Sequence, residues 1–115
     1  MTGDELERVL AEQEVTLLDV RSRGEYVGDT GYGCDPRQGH IPGAIHVPWQ
    51  ELAAAAGRGG DAVRRLVAER GGDAARPLVA YCHSGQRSGL AVAALRAAGV
   101  SAENYDGSWH EWSRR

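Results

Sequence analysis

The run Cys82-His83-Ser84-Gly85-Gln86-Arg87-Ser88 concentrates more chemistry than any other part of the chain. It follows the apolar stretch Pro77-Leu-Val-Ala-Tyr81 and precedes a helical pattern starting near Ser88. A cysteine between a buried strand and a helix N-terminus meets converging backbone N–H groups and the positive end of the helix dipole. Such an environment lowers a thiol pKa and supplies thiolate near neutral pH. Gly85 permits a tight turn, Arg87 adds a fixed positive charge, and Ser84 and Ser88 add hydroxyl donors. The expectation is a nucleophilic cysteine within an anion-binding loop. The alternative is an inert buried thiol, but apolar cores rarely flank a structural cysteine with so many polar groups.

Apolar patterning identifies the elements that must position this loop. Thr2-x-x-Glu5 fits a capping box ahead of Leu6, Val9 and Leu10, predicting a helix over residues 4–13. Val15–Val20 is too short and too apolar for a helix and reads as a buried strand, with Asp19 at its end. Residues 22–43 are rich in Gly and Pro and are expected to be largely irregular, a length of loop that usually carries function. Ala44–Val47 predicts a second strand and Gln50–Ala56 a helix. Asp61 is expected to cap a helix that presents Val63, Leu66 and Val67 and ends near Gly71-Gly72. After the strand at 77–81, a helix from Ser88 to Ala98 offers Leu90, Val92, Ala94 and Leu95 for packing. Val100–Tyr105 predicts a last strand, and Trp109–Arg114 a final helical turn or two. Alternating helices and short apolar strands indicate one α/β domain over residues 1–115, with a mostly parallel sheet covered on both faces. Ligands of such sheets sit beyond the C-terminal strand ends, which is where Cys82 falls.

Four segments together resemble the rhodanese-like sulfurtransferases. They are Leu18-Asp19-Val20-Arg21, Gly39-His40-Ile41-Pro42-Gly43-Ala44, Cys82–Arg87, and Tyr105-Asp106-Gly107-Ser108-Trp109 with Glu111-Trp112. The last resembles the C-terminal motif of thiosulfate and 3-mercaptopyruvate sulfurtransferases. The chain reads as the catalytic C-terminal half of a tandem-domain member standing alone, with its long segment Gly24–Gly39 included. The resemblance implies a rhodanese-like fold: a central, mostly parallel five-stranded sheet flanked by helices on both faces. It further implies a thiosulfate/3-mercaptopyruvate sulfurtransferase that moves a sulfane sulfur through a Cys82 persulfide to cyanide, a thiol or a protein cysteine. Cys82 is then the catalytic residue, and His83, Ser84, Gly85, Gln86, Arg87 and Ser88 hold the substrate. Asp19, Arg21, His40, Asp106 and Trp109 support the site.

Two departures bear on the donor. Ser84 stands where thiosulfate enzymes often have Lys, and Glu25 where tandem members tend to have Arg. Both remove positive charge that would meet an anionic donor, which Arg87, Arg23 or Arg37 would have to replace. A loop of the form His83-Ser84-Gly85 is nearer that of mercaptopyruvate enzymes.

Three other readings compete. A sulfur carrier or redox or partner-binding module would share the persulfide without small-molecule turnover. A cysteine phosphatase needs Cys-x5-Arg, whereas Cys82 and Arg87 form Cys-x4-Arg, a loop better sized for sulfur than for phosphate. A metal site is not expected from Cys34, His40 and His46, spaced six apart with Cys82 and His83 elsewhere, which lack the close pairing of zinc ligands, and no cofactor is anticipated. Cys34 reads either as a lone loop thiol or as a resolving thiol for Cys82.

Composition narrows the partners. The 115 residues carry 13 Lys+Arg against 16 Asp+Glu, a net charge of −3 that gives no electrostatic reason to bind nucleic acid or an anionic membrane. No apolar run approaches the ~20 residues of a bilayer span. The acidic start, Met1-Thr2-Gly3-Asp4-Glu5, is unlike a secretory signal. The cytoplasm is the expected compartment, and Cys34 and Cys82 are expected as free thiols. The small sulfur donor and acceptor are the anticipated partners.

Overall fold

The sheet holds four strands in the order Ile45–His46, Thr16–Asp19, Leu78–Tyr81 and Ala102–Asn104, and every neighbouring pair is parallel. A computed structural model describes residues 1–115. In chain order the elements are α1 (Gly3–Ala11), β1 (Thr16–Asp19), α2 (Arg23–Val27), β2 (Ile45–His46), α3 (Trp49–Gly57), α4 (Gly60–Glu69), β3 (Leu78–Tyr81), α5 (Gln86–Ala97), β4 (Ala102–Asn104) and α6 (Ser108–Trp112). The α/β class and the parallel sheet agree with the sequence reading. The expected fifth strand is absent. Between α2 and β2 the backbone turns repeatedly, with Gly28, Gly31, Gly39 and Gly43 at positive φ. Such a path cannot run alongside a sheet edge and form a ladder.

The two central strands are buried on both sides. Successive side chains point to opposite faces, so each strand serves two cores. Leu18, Leu78, Ala80 and Cys82 pack with Leu52, Val63, Val67, Val92 and Leu95 from α3, α4 and α5. Leu17, Val79 and Tyr81 pack with Leu6 and Val9 of α1, Ile41, Tyr105 and Trp109. Helices therefore cover both faces, as a fully buried parallel sheet requires.

Several local expectations are corrected. Residues 23–27 form a helix inside the segment read as irregular. Its signal is Ser22-x-x-Glu25, which makes a complete capping box. Helix α1 has only half of its expected box, with the Thr2 hydroxyl accepting from the Glu5 N–H at 3.1 Å. Asp61 does not cap α4; the helix starts one residue earlier, and Asp61 lies in its first turn. Leu90 is 63% exposed, because α5 buries Ser88, Ala91, Val92 and Leu95 instead. Helix α5 also starts two residues earlier than expected. Gln86, Arg87 and Ser88 are thus its first turn and not the end of a loop.

Candidate active site

Cys82 is the first residue beyond β3 and is almost wholly buried. Gly85 adopts a left-handed conformation, φ 94°, which turns the chain and delivers its own N–H to Cys82 Sγ at 3.1 Å. The Ser88 hydroxyl, one helical turn into α5, donates to the same sulfur at 3.3 Å. Burial pushes the Cys82 thiol up. The Ser88 hydroxyl and the N–H groups of Ser88, Gly85 and Ser84 outweigh it and hold the thiol below its ordinary range. The loop is therefore a cradle of backbone and hydroxyl donors that favours the anionic form of the sulfur. Ser84 and Gln86 are exposed at its rim.

Helix α6 pins the cradle from the other side. The Cys82 N–H donates to the Ser108 hydroxyl at 3.1 Å, which in turn donates to the Tyr105 carbonyl at 2.9 Å. The Trp109 N–H donates to the Cys82 carbonyl at 2.9 Å, and the His110 N–H to the His83 carbonyl at 3.0 Å. Asn104 donates to the Gly85 carbonyl at 3.1 Å and to the Asp106 carboxylate at 2.9 Å. A Cβ on Gly85 would stand 2.8 Å from the Asp106 carbonyl oxygen, so the segment around Asp106 packs directly on the turn. Trp109 is buried, and its indole N–H donates to the Arg37 carbonyl at 3.0 Å. Asp106 and Trp109 thus adjoin the cradle, as expected. Ser108 and Asn104 were not singled out as site residues; their bonds to Cys82 and Gly85 join positions 26 and 19 residues apart.

Asp19 and Arg21 form a buried pair beneath the site, 2.7 Å apart at closest. Tyr81 completes it, its hydroxyl donating to Asp19 at 2.7 Å and accepting from the Ile41 N–H at 3.0 Å. Arg21 also donates to the Gly39 carbonyl and lies between the rings of Tyr81 and Trp109, 5.5 and 5.2 Å from their centroids. The pair ties the end of β1 to the Gly39–Ile41 turn. His40 stacks on Tyr26 with centroids 3.9 Å apart, and its Nδ1 is 2.8 Å from the Tyr26 carbonyl. That contact anchors the same turn to α2.

Arg87 does not stand free. It makes two hydrogen bonds to the Glu25 carboxylate, at 2.8 and 3.0 Å. Burial pushes the Glu25 carboxyl up, but Arg87 and the Ser22 N–H and hydroxyl outweigh this and lower it to about 2. Arg37 is also engaged, donating to the carbonyls of Ser113 and Trp112. A depressed carboxyl stabilises the fold fully above its ordinary pKa of 4.5 and loses that contribution as pH falls towards 2. Glu25→Gln is expected to flatten the acid limb of stability between these values, by about 3 kcal/mol across it. Urea unfolding midpoints measured against pH check this.

His83, the loop residue after Cys82, packs against the Tyr32–Asp35 segment. Tyr32 stacks on it at 3.8 Å, and Asp35 Oδ2 lies 2.9 Å from its Nε2. Asp35 is a buried carboxylate that sequence reasoning did not single out, because nothing in Gly33-Cys34-Asp35-Pro36 marks it for burial. None of the three surface depressions is lined by Cys82 or its loop. No helix is long and apolar enough to cross a membrane.

Residues 2–115 match the rhodanese-like domain family. The chain is 42% identical over 101 residues to a Mycobacterium tuberculosis protein named "Putative thiosulfate sulfurtransferase SseB", covering 86% of this chain and 35% of that one. It spans about a third of the length of such curated relatives. Among solved structures, the human single-domain sulfurtransferase TSTD1 aligns with a TM-score of 0.71 and 30% identity, covering 100% of this chain and 95% of that one. A structure of EanB carrying a cysteine persulfide with ergothioneine aligns with a TM-score of 0.80 and 26% identity, over 99% of this chain and 30% of that one. Match, fold and cradle agree: the chain belongs to the rhodanese-like domain family.

Proposed function

We propose that the chain is a sulfurtransferase that carries a sulfane sulfur on Cys82 as a persulfide. The observation that carries this reading is the cradle: one buried sulfur, a thiol pKa held low, and donors from Gly85 and Ser88 aimed at it. In the first step the Cys82 thiolate attacks the outer sulfur of the donor. A Cys82–sulfur bond forms, the donor's bond to that sulfur breaks, and its electron pair leaves with sulfite or, after protonation, pyruvate. In the second step cyanide or a thiolate attacks the terminal sulfur, and Cys82 departs as thiolate. Splitting the transfer makes each step easier. The persulfide is anionic, so the N–H groups that favour thiolate also favour the intermediate.

Within this reading His83, Ser84, Gly85, Gln86, Arg87 and Ser88 face or frame the donor. The donor in this reading is small, thiosulfate or 3-mercaptopyruvate. Glu25 neutralises much of the charge of Arg87, which favours 3-mercaptopyruvate, with its single carboxylate, over the dianionic thiosulfate. Asp19, Arg21, His40, Asp106 and Trp109 hold the loop in place without touching substrate.

The deciding experiment is intact mass after brief exposure to each donor, then to cyanide. A gain of one sulfur that cyanide removes establishes the cycle, and the donor giving faster loading names the substrate. No gain with either donor overturns the small-molecule reading in favour of a carrier loaded by another protein. Ser88→Ala adds a finer test. Removing the hydroxyl withdraws one group that favours the thiolate, so the thiol pKa rises and the acid limb of the pH–rate profile moves to higher pH. A shift of one unit costs about tenfold in rate below the thiol pKa; an unmoved limb would remove Ser88 from the sulfur's stabilisation.

A further inference from the structure

The segment from Gly28 to Gly39 brings a group of side chains against the active-site loop that the sulfur chemistry does not use. Asp35 is at its centre, with its side chain only 1% exposed. One donor atom each from Cys34, Asp35, His83 and His110 lies within 4.8 Å of all the others. Asp35 Oδ2 stands 2.9 Å from His83 Nε2, and Asp35 Oδ1 stands 3.4 Å from His110 Nδ1. Asp35 Oδ2 and His83 Nε2 are both buried, and each meets only the other, without the geometry of an aligned hydrogen bond. Two polar atoms that meet this closely without an aligned hydrogen bond, away from water, leave a cost that a ligand would relieve.

We propose that Cys34, Asp35, His83 and His110 form a zinc-binding site, and that zinc bound there inhibits sulfur transfer by holding on the metal His83, one of the residues that frame the donor. A thiolate, two imidazoles and a carboxylate make a four-donor set of the kind zinc takes in tetrahedral sites. Zinc contacts of about 2.0–2.3 Å place neighbouring donors roughly 3.3–3.8 Å apart. The two pairings of Asp35 with the histidines already lie near that range. The remaining closure falls to Cys34, an exposed loop residue. Its thiol loses a proton on binding, so the thiolate and Asp35 together balance the charge of the metal.

Arg114 fills the place of the cation. Its Nη1 lies 3.0 Å from Asp35 Oδ1 and 3.2 Å from His110 Nδ1. A guanidinium only donates, so this contact turns the His110 Nδ1 lone pair towards the cluster, as metal binding requires. The Arg114 side chain is 37% exposed and has solvent to move into. It is therefore a competitor of zinc, not a partner.

Zinc titration against a chromophoric chelator, in the Cys82→Ser background, tests binding without the active-site thiol as an alternative ligand. One zinc per chain is expected. Cys34→Ser and His110→Ala should each weaken binding about tenfold or more, the scale of loss seen even for outer partners of a metal. Arg114→Ala should tighten it. Absence of binding, affinity unchanged by Cys34→Ser and His110→Ala, or weaker binding by Arg114→Ala would each overturn the site.

The inhibitory part rests on the proposed sulfur transfer; the binding part does not, so the two fail separately. With Cys82 present, zinc should slow transfer and a chelator should restore it. Cys34→Ser and His110→Ala should keep the basal rate and lose most of the zinc sensitivity. Full zinc sensitivity in both variants would place the inhibition at Cys82 itself and refute the regulatory role.

Discussion

Replacing Cys82 with serine is expected to reduce sulfur transfer to the uncatalysed background, a loss of at least about 10⁴-fold. Serine is nearly the same size, and its hydroxyl accepts from the Gly85 N–H as the sulfur does. The fold should therefore be retained. The chemistry is lost because the cradle favours an anion by shifting a thiol pKa that is already near neutrality. The same donors cannot ionise an alcohol at neutral pH, and an oxygen does not form a stable chain of sulfur atoms with the donor. Steady-state transfer to cyanide, with circular dichroism as the control for folding, checks both halves. Transfer above background in a folded Cys82→Ser protein would exclude Cys82 as the sulfur carrier.

The second large effect is on stability. Asp19→Ala is expected to destabilise the protein by about 3–5 kcal/mol, the range for removing one partner of a buried ion pair. The loss leaves the Arg21 guanidinium with 1% exposure and no counter-charge. It also removes the acceptor of the Tyr81 hydroxyl, in the strand that leads to Cys82. Against a total stability of roughly 5–15 kcal/mol for a domain, such a loss threatens folding itself. The double change Asp19→Ala with Arg21→Met tests the cause. Removing both charges should recover part of the loss, because the uncompensated arginine is then gone. Urea unfolding of the single and double variants measures this; no recovery would locate the cost in the Tyr81 hydrogen bond and the Gly39 turn. Activity of whatever remains folded should fall less than stability, since neither residue touches the sulfur.

Much of the fold was legible in local patterning. The apolar runs at 15–20 and 77–81 are strands because they are short, continuous and buried on both faces. Thr2 marks a helix start by its side-chain cap, whereas the start of α5 behind the left-handed Gly85 was read two residues late. The cradle was legible for the same reason: Cys82, Gly85 and Ser88 lie within seven residues, and one strand-to-helix turn suffices to aim their groups at one another. Helix α2 was overlooked although Ser22 and Glu25 announce it, because the surrounding Gly and Pro outweighed a five-residue signal.

The state of each charge near the site was decided only by tertiary structure. Arg87 reads in sequence as a free cation awaiting an anionic donor, yet Glu25, 62 positions away, binds it through both oxygens. Asp35 reads as a loop acid, yet it is buried among His83, His110 and Arg114. Ser108 reads as a turn residue, yet it bonds the Cys82 N–H. By itself, then, the sequence determined the α/β class, the strand-to-helix turn and the place of Cys82 within it, because backbone preference and apolar periodicity act over a few residues. The tertiary structure decided which polar groups face one another out of water, because desolvation and pairing depend on contacts between segments that are remote along the chain.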